Sequence, residues 1–314
     1  MTTPLLKIRD IAFVRLRVPD LDKMETYLAD FGLERSARTD SSLYMRGTGD
    51  AHHLHASELG ESAGLVGIAL LAGSADDLDK LARVPGASEV HDTGEPGGGR
   101  RVVIHDPFGV RVELVHGIEP VTPRPVQPPL ALNLGSRVER RGTLKRIEKG
   151  PARVKRLGHV AINLADPDAA FDWYSRHFGL RKSDSIALED FALAHFCRCD
   201  VGSEYTDHHT LVFARSFDGQ TSLNHASFEV CDLDDVWTGH EHLAAKGYRH
   251  TWGIARHTLG SQIFDYWRDP WGLIHEHFTD GDLLNDTAAA EVHGLETSQW
   301  GADMPAGFGQ PLPE

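Results

Sequence analysis

The chain has 314 residues, 40% of them hydrophobic and 25% charged, which is ample for a packed core and long enough for two domains. A formal net charge of −14 disfavours attraction to nucleic acid or an anionic membrane, and no run reaches the roughly 18 uncharged apolar residues of a spanning helix. Three cysteines, Cys197, Cys199 and Cys231, cannot build a disulfide framework; together with a start that lacks the zones of a signal peptide, they point to a cytoplasmic protein.

Along the chain, alternation predicts a strand over 11–18, then a helix near 20–30 ending in Phe31-Gly32-Leu33. The same pattern returns at 157–164 and 166–177, ending in Phe178-Gly179-Leu180. Gly67-Ile68-Ala69-Leu70-Leu71 leads to Asp76-Asp77 at the offset by which His225-Ala226-Ser227-Phe228-Glu229 leads to Asp234-Asp235. Asp106-Pro107-Phe108-Gly109 precedes Glu113 as Asp269-Pro270-Trp271-Gly272 precedes Glu276. Three landmarks in register define an internal repeat, and each Asp-Pro-x-Gly reads as a turn between strands.

Between the repeats, 117–156 carries Pro120, Pro123, Pro125, Pro128 and Pro129 and then a basic run, as a linker does. The expected organisation is an N-terminal module without metal (1–118), a linker (119–155), a C-terminal metal-binding module (156–282) and a C-terminal arm (283–314) whose Gly- and Pro-rich end, 300–314, is extended or mobile. The element order predicts an α+β fold with curved mixed sheets.

In a strand, residues an even number apart share a face, which groups His159 with Ala161 and Asn163, His225 with Ser227 and Glu229, and Glu276 with Ile274 and Phe278. A carboxylate between Ile and Phe needs a partner. Two imidazoles and a carboxylate leave coordination positions open on one side, the facial arrangement of non-haem Fe(II) oxygen chemistry. In the first repeat Phe13 stands for His159 and Gly67 for His225, and only Glu113 matches Glu276, so that repeat is not expected to bind metal in this way. His52, His53 and His55 read as a remnant of duplication. His275 and His277 point away from the Glu276 face, and His240 and His242 fall in a predicted helix and read as solvated. The adjacent His208 and His209 read as strand residues that face opposite ways, so only one can point at the metal and the other lies at a surface or interface.

Leu157-Gly158-His159-Val160, Asp207-His208-His209-Thr210-Leu211, Asn224-His225 and Tyr266-Trp267-Arg268-Asp269-Pro270-Trp271-Gly272 followed by Glu276 resemble the type I extradiol ring-cleavage dioxygenases of the vicinal oxygen chelate superfamily, over residues 8 to 309. The resemblance implies two tandem modules of paired βαβββ repeats, with a funnel in the C-terminal module and iron at its base. It makes His159, His225 and Glu276 the ligands of Fe(II), with Mn(II) as the lesser alternative. It makes His209 the acid/base beside O2, and His257 and Tyr266 the partners of the substrate oxygens. The implied substrates are a catechol-type aromatic diol and O2, in aromatic-compound degradation, and the implied assembly is a homo-oligomer. Phe191, His195, Trp252 and Ile254, as funnel candidates, give no ring preference; of Trp252, Trp267 and Trp271, two are expected in the core. Competing readings are a metal-dependent glyoxalase-like isomerase or epimerase, which draws ligands from two repeats, and a metal-free binding module.

Overall fold

The structure, a computed structural model, describes residues 3–126, 131–189 and 191–309; Pro128 and Pro129 of the linker and the end of the arm, 310–314, lie outside them. The first half runs β1 (Ile8–Val18), α1 (Leu21–Phe31), β2 (Glu34–Arg38), β3 (Ser42–Arg46), β4 (His55–Leu59), β5 (Gly64–Ala72), α2 (Ala75–Leu81), β6 (His91–Asp92), β7 (Arg100–His105) and β8 (Arg111–His116). The second half runs β9 (Val154–Leu164), α3 (Pro167–Phe178), β10 (Arg181–Leu188), β11 (Phe191–Arg198), β12 (Thr206–Asp207), β13 (Leu211–Arg215), β14 (Ser222–Val230), α4 (Leu233–Ala245), β15 (Arg249–His257), β16 (Ile263–Arg268) and β17 (Ile274–Thr279). Three short strands follow: β18 (Leu283–Leu284), β19 (Glu291–His293) and β20 (Ser298–Trp300).

Equivalent residues start and stop the first helix of each half. Asp20 accepts from the amides of Asp22 and Lys23, and Asp166 from those of Asp168 and Ala169, each worth about 1 kcal/mol as an N-cap. Gly32 and Gly179 end these helices in the left-handed region, at φ 108° and 72°. Gly32 is constrained twice, because a Cβ there would lie 2.0 Å from the carbonyl oxygen of Ala152. The buried residues of α1, Leu21, Met24, Tyr27, Leu28 and Phe31, follow helical spacing along one face.

The first sheet has the order β2-β3-β4-β1-β5-β8-β7-β6, and the second β19-β10-β11-β13-β9-β14-β17-β16-β15-β20. Without its two edge strands the second order repeats the first, element for element. In both, the first long strand runs parallel to one neighbour and antiparallel to the other. The edge strands β19 and β20 come from the segment after 283, so the arm extends the second sheet at both margins. The two Asp-Pro-x-Gly turns join β7 to β8 and β16 to β17; Asp106 and Asp269 each hold theirs by accepting from two backbone amides.

One apolar core is continuous through both halves. At their junction Phe31 meets Phe228 at 5.6 Å and stacks on His277 at 3.8 Å, and His277 donates from Nε2 to the Phe31 carbonyl at 2.7 Å. His275 packs among Tyr27, Phe31 and Phe228. Both histidines thus point away from Glu276, and they glue the halves together. Burial pushes His275 down to about 3 and His277 to about 4, so both are neutral near pH 7. Cys197 and Cys199 are buried and Cys231 half-buried, all as free thiols. Among the described residues no helix is long and apolar enough to cross a membrane.

Candidate metal centre

Three neighbouring strands at the middle of the second sheet each contribute one side chain: His159 from β9, His225 from β14 and Glu276 from β17. His159 Nε2 lies 3.1 Å from His225 Nε2 and 3.2 Å from a Glu276 oxygen, which is 3.6 Å from His225 Nε2. Glu276 is fully buried, and neither of its oxygens has a well-formed hydrogen bond. Burial opposes its ionisation, yet the imidazoles of His159 and His257 hold its carboxyl well below the usual carboxylate range. An ionised, buried, unsatisfied carboxylate facing two imidazole nitrogens is the donor set of a divalent transition ion, and these residues fit one.

A register shift between Leu223 and His225 puts a bulge in β14, so Asn224 and His225 both line the same cavity. Asn224 Oδ1 accepts from His225 Nδ1 at 2.8 Å, which leaves the Nε2 lone pair turned to the shared point. Asn224 in turn donates to Asn163 Oδ1 at 2.8 Å, and Asn163 donates to the Gly309 carbonyl at 2.7 Å. The arm is thereby tied to His225. Strict alternation along β14 hides this role of Asn224; the Asn-His pair was the only signal for it.

His209 is buried, with its ring 4.1 Å from that of His159. It does not sit on a strand as expected: His208 and His209 occupy the turn between β12 and β13, and their Nδ1 atoms are 3.0 Å apart. His208 is buried rather than superficial, with Nε2 2.7 Å from Asp184. When His208 is neutral, its Nε2–H goes to Asp184 and its Nδ1 accepts from His209 Nδ1–H. The His209 Nε2 is then left as a base. Burial, with the imidazole of His159 beside it, holds His209 well below the usual histidine range. Across the site, on β16 and β15, the Tyr266 hydroxyl is 2.9 Å from His257 Nε2.

The side chains of His159, His209, His225, His257 and Tyr266 open on a cavity of about 400 Å³, walled by Ile186, Leu193, Phe196, Val212, Trp252 and Phe308 among others. Trp252 lines it, whereas Trp267 is in the core and Trp271 packs against it. Three expected lining residues are elsewhere. Phe191 is exposed and lies under Arg215, Ile254 packs on the main core, and His195 turns the other way, between Ser185 and Asp168 at 2.8 Å each. His240 and His242, expected to be solvated, are bound to Asp265 and Asp30.

In the first half the matching place is filled by arginines. Glu113 is buried and accepts from Arg15 at 2.8 Å, Arg101 at 2.9 Å and Arg111 at 3.0 Å. Gly67 leaves no room for a ligand, since a Cβ would be 2.3 Å from the Arg111 carbonyl oxygen. His53 packs on Phe13 at 4.5 Å, and His55 on His275.

The model of the Glyoxalase/Bleomycin resistance protein/Dioxygenase superfamily matches residues 10–114 and 156–276, one stretch in each half. The chain belongs to this superfamily. Members similar to it include metapyrocatechase 2 of Cupriavidus necator, 31% identical with 97% of this chain and 92% of that protein covered. Biphenyl-2,3-diol 1,2-dioxygenase of Paraburkholderia xenovorans is 27% identical, with 94% and 95% covered. Two solved structures share the fold at a TM-score of 0.78. The Mn(II)-bound glyoxalase from Novosphingobium aromaticivorans is 24% identical, with 98% of this chain and 95% of that one covered. Homoprotocatechuate 2,3-dioxygenase from Brevibacterium fuscum is 18% identical, with 97% and 92% covered.

Proposed function

We infer that this chain is an extradiol dioxygenase that opens a catechol-type aromatic ring with O2 beside its two hydroxyls, in aromatic-compound degradation. The observation that carries the reading is the convergence of His159, His225 and Glu276 at an apolar cavity that also receives His209, His257 and Tyr266. Near full-length similarity to ring-cleaving relatives supports it. Fe(II) held by His159, His225 and Glu276 would supply the place where diol and O2 meet and exchange electrons, with Mn(II) as the alternative ion.

The protein's own groups divide the remaining work. His257 and Tyr266, bonded to each other, are placed to hydrogen-bond the substrate oxygens and fix the ring. His209, with Nε2 kept as a base by His208 and Asp184, takes a hydroxyl proton from the diol and returns it during cleavage. The apolar wall excludes water, and the arm closes it through Phe308, whose ring is 4.8 Å from that of Tyr266. The carbon–carbon bond next to the diol breaks and both oxygen atoms enter a ring-opened product. Among the described wall residues Arg215 is cationic, and it is spent on the carbonyls of Ala192 and Ala165 and on the Phe191 ring. A hydrocarbon-substituted catechol therefore suits the cavity better than a carboxylated one. An isomerase drawing ligands from both halves is disfavoured by Gly67 and by the arginines around Glu113.

The test is anaerobic Fe(II) loading, then oxygen uptake and visible absorbance with alkyl-, aryl- and carboxyl-substituted catechols. One O2 per ring-opened, yellow product, fastest with the apolar diols, is the expected result. Bound metal with no oxygen uptake from any diol would overturn the reading.

A further inference from the structure

Successive residues of a strand face opposite ways, so Asp265, next to Tyr266 on β16, looks away from the cavity. It meets His250 from β15 and His240 from α4. The Asp265 carboxylate is fully buried; Oδ1 lies 2.8 Å from His250 Nε2, His240 Nδ1 lies 3.2 Å from Oδ1 and 3.1 Å from Oδ2, and Oδ2 accepts from the Trp267 indole at 2.5 Å. One ligand atom from each of the three residues lies within 4.8 Å of the other two.

We propose that His240, His250 and Asp265 form a second site for a divalent transition ion, separate from the catalytic centre. The two imidazole rings stand 5.0 Å apart at 76°, nearly the arrangement of His159 and His225, at 5.2 Å and 81°. Trp267 donates to Oδ2 and so fixes the carboxylate with Oδ1 directed at His250 and both oxygens near His240 Nδ1, the task that outer hydrogen bonds perform at metal sites. The His240 and His250 side chains are 26% and 32% exposed, which gives an ion a path in and leaves positions for water. Two nitrogens and one carboxylate select borderline ions such as Zn(II), Co(II) or Ni(II) over Mg(II) or Ca(II). Binding needs each histidine to turn a lone pair, in place of an N–H, to the shared point. An ion here pins α4 to the β15–β16 hairpin, the element that carries His257 and Tyr266.

The experiment is equilibrium dialysis of the full chain against Co(II) or Zn(II), followed by metal counting, with circular dichroism to check folding. The wild type should hold two equivalents, His240→Ala/His250→Ala one, and His225→Ala one, which is lost when all three substitutions are combined. Both substituted histidines of the pair are half-exposed, so the double variant should remain folded. Should the catalytic-centre reading be wrong, His225→Ala would keep the wild-type count while the double variant still lost one equivalent. A double variant that binds as much metal as the wild type would overturn the second site, leaving Asp265 as a plain hydrogen-bond acceptor.

Discussion

Asn224→Ala removes the oxygen that accepts from His225 Nδ1 at 2.8 Å and leaves that nitrogen with no partner in a buried place. A buried donor without an acceptor costs about 1–3 kcal/mol, and the imidazole can then take the tautomer whose Nε2 carries the proton. Loss of an outer hydrogen bond of this kind lowers metal affinity by about 10–100-fold, or about 1.4–2.7 kcal/mol, the same range. Anaerobic competition for Fe(II) against a chromophoric chelator measures the affinity directly. Asn224→Asp keeps an acceptor in place and should bind at least as tightly as the wild type. Asn163→Ala, which spares the contact to His225, should change affinity by less than about threefold. If Asn224→Ala, folded normally, also stays within threefold of the wild type, the hydrogen bond does not set the ligand's tautomer and the argument fails.

Arg15→Leu takes the closest cation from buried Glu113 and should cost about 3–5 kcal/mol in urea unfolding, with a smaller loss in Arg15→Leu/Glu113→Leu, where the stranded carboxylate is gone. His209→Ala should lower kcat by about 10²–10⁴-fold with iron content unchanged, and His208→Phe should follow it in part; equal iron loss in both would contradict a role in proton transfer. Burial depresses His53 and His275 to about 3 and His277 to about 4, so the unfolded chain binds more protons below its ordinary histidine pKa near 6.5. Stability of the metal-free protein should therefore be fully present above pH 6.5 and fall as the pH drops toward 4. These three residues together contribute a loss of about 4 kcal/mol by pH 5.5, and urea titrations at both pH values read it out.

The internal repeat was legible because it rests on local chemistry: caps at Asp20 and Asp166, glycines that must turn left-handed, and two Asp-Pro-x-Gly turns. Strand alternation likewise grouped Glu276 with Ile274 and Phe278 and turned His275 and His277 away from it. Period-two reasoning failed where the backbone left the strand. The bulge in β14 brought Asn224 to the cavity, and the turn before β13 let His208 and His209 bond each other instead of facing apart. Which distant groups meet was decided only by tertiary packing. Helix α4 lies against β15 and β16, and that alone gives His240 its carboxylate at Asp265. The order of β9, β14 and β17 sets atoms of His159, His225 and Glu276 around one point. Local sequence fixes the direction of a side chain relative to its own strand, whereas its partner depends on strand order and helix placement, which are set by burial of the whole apolar surface.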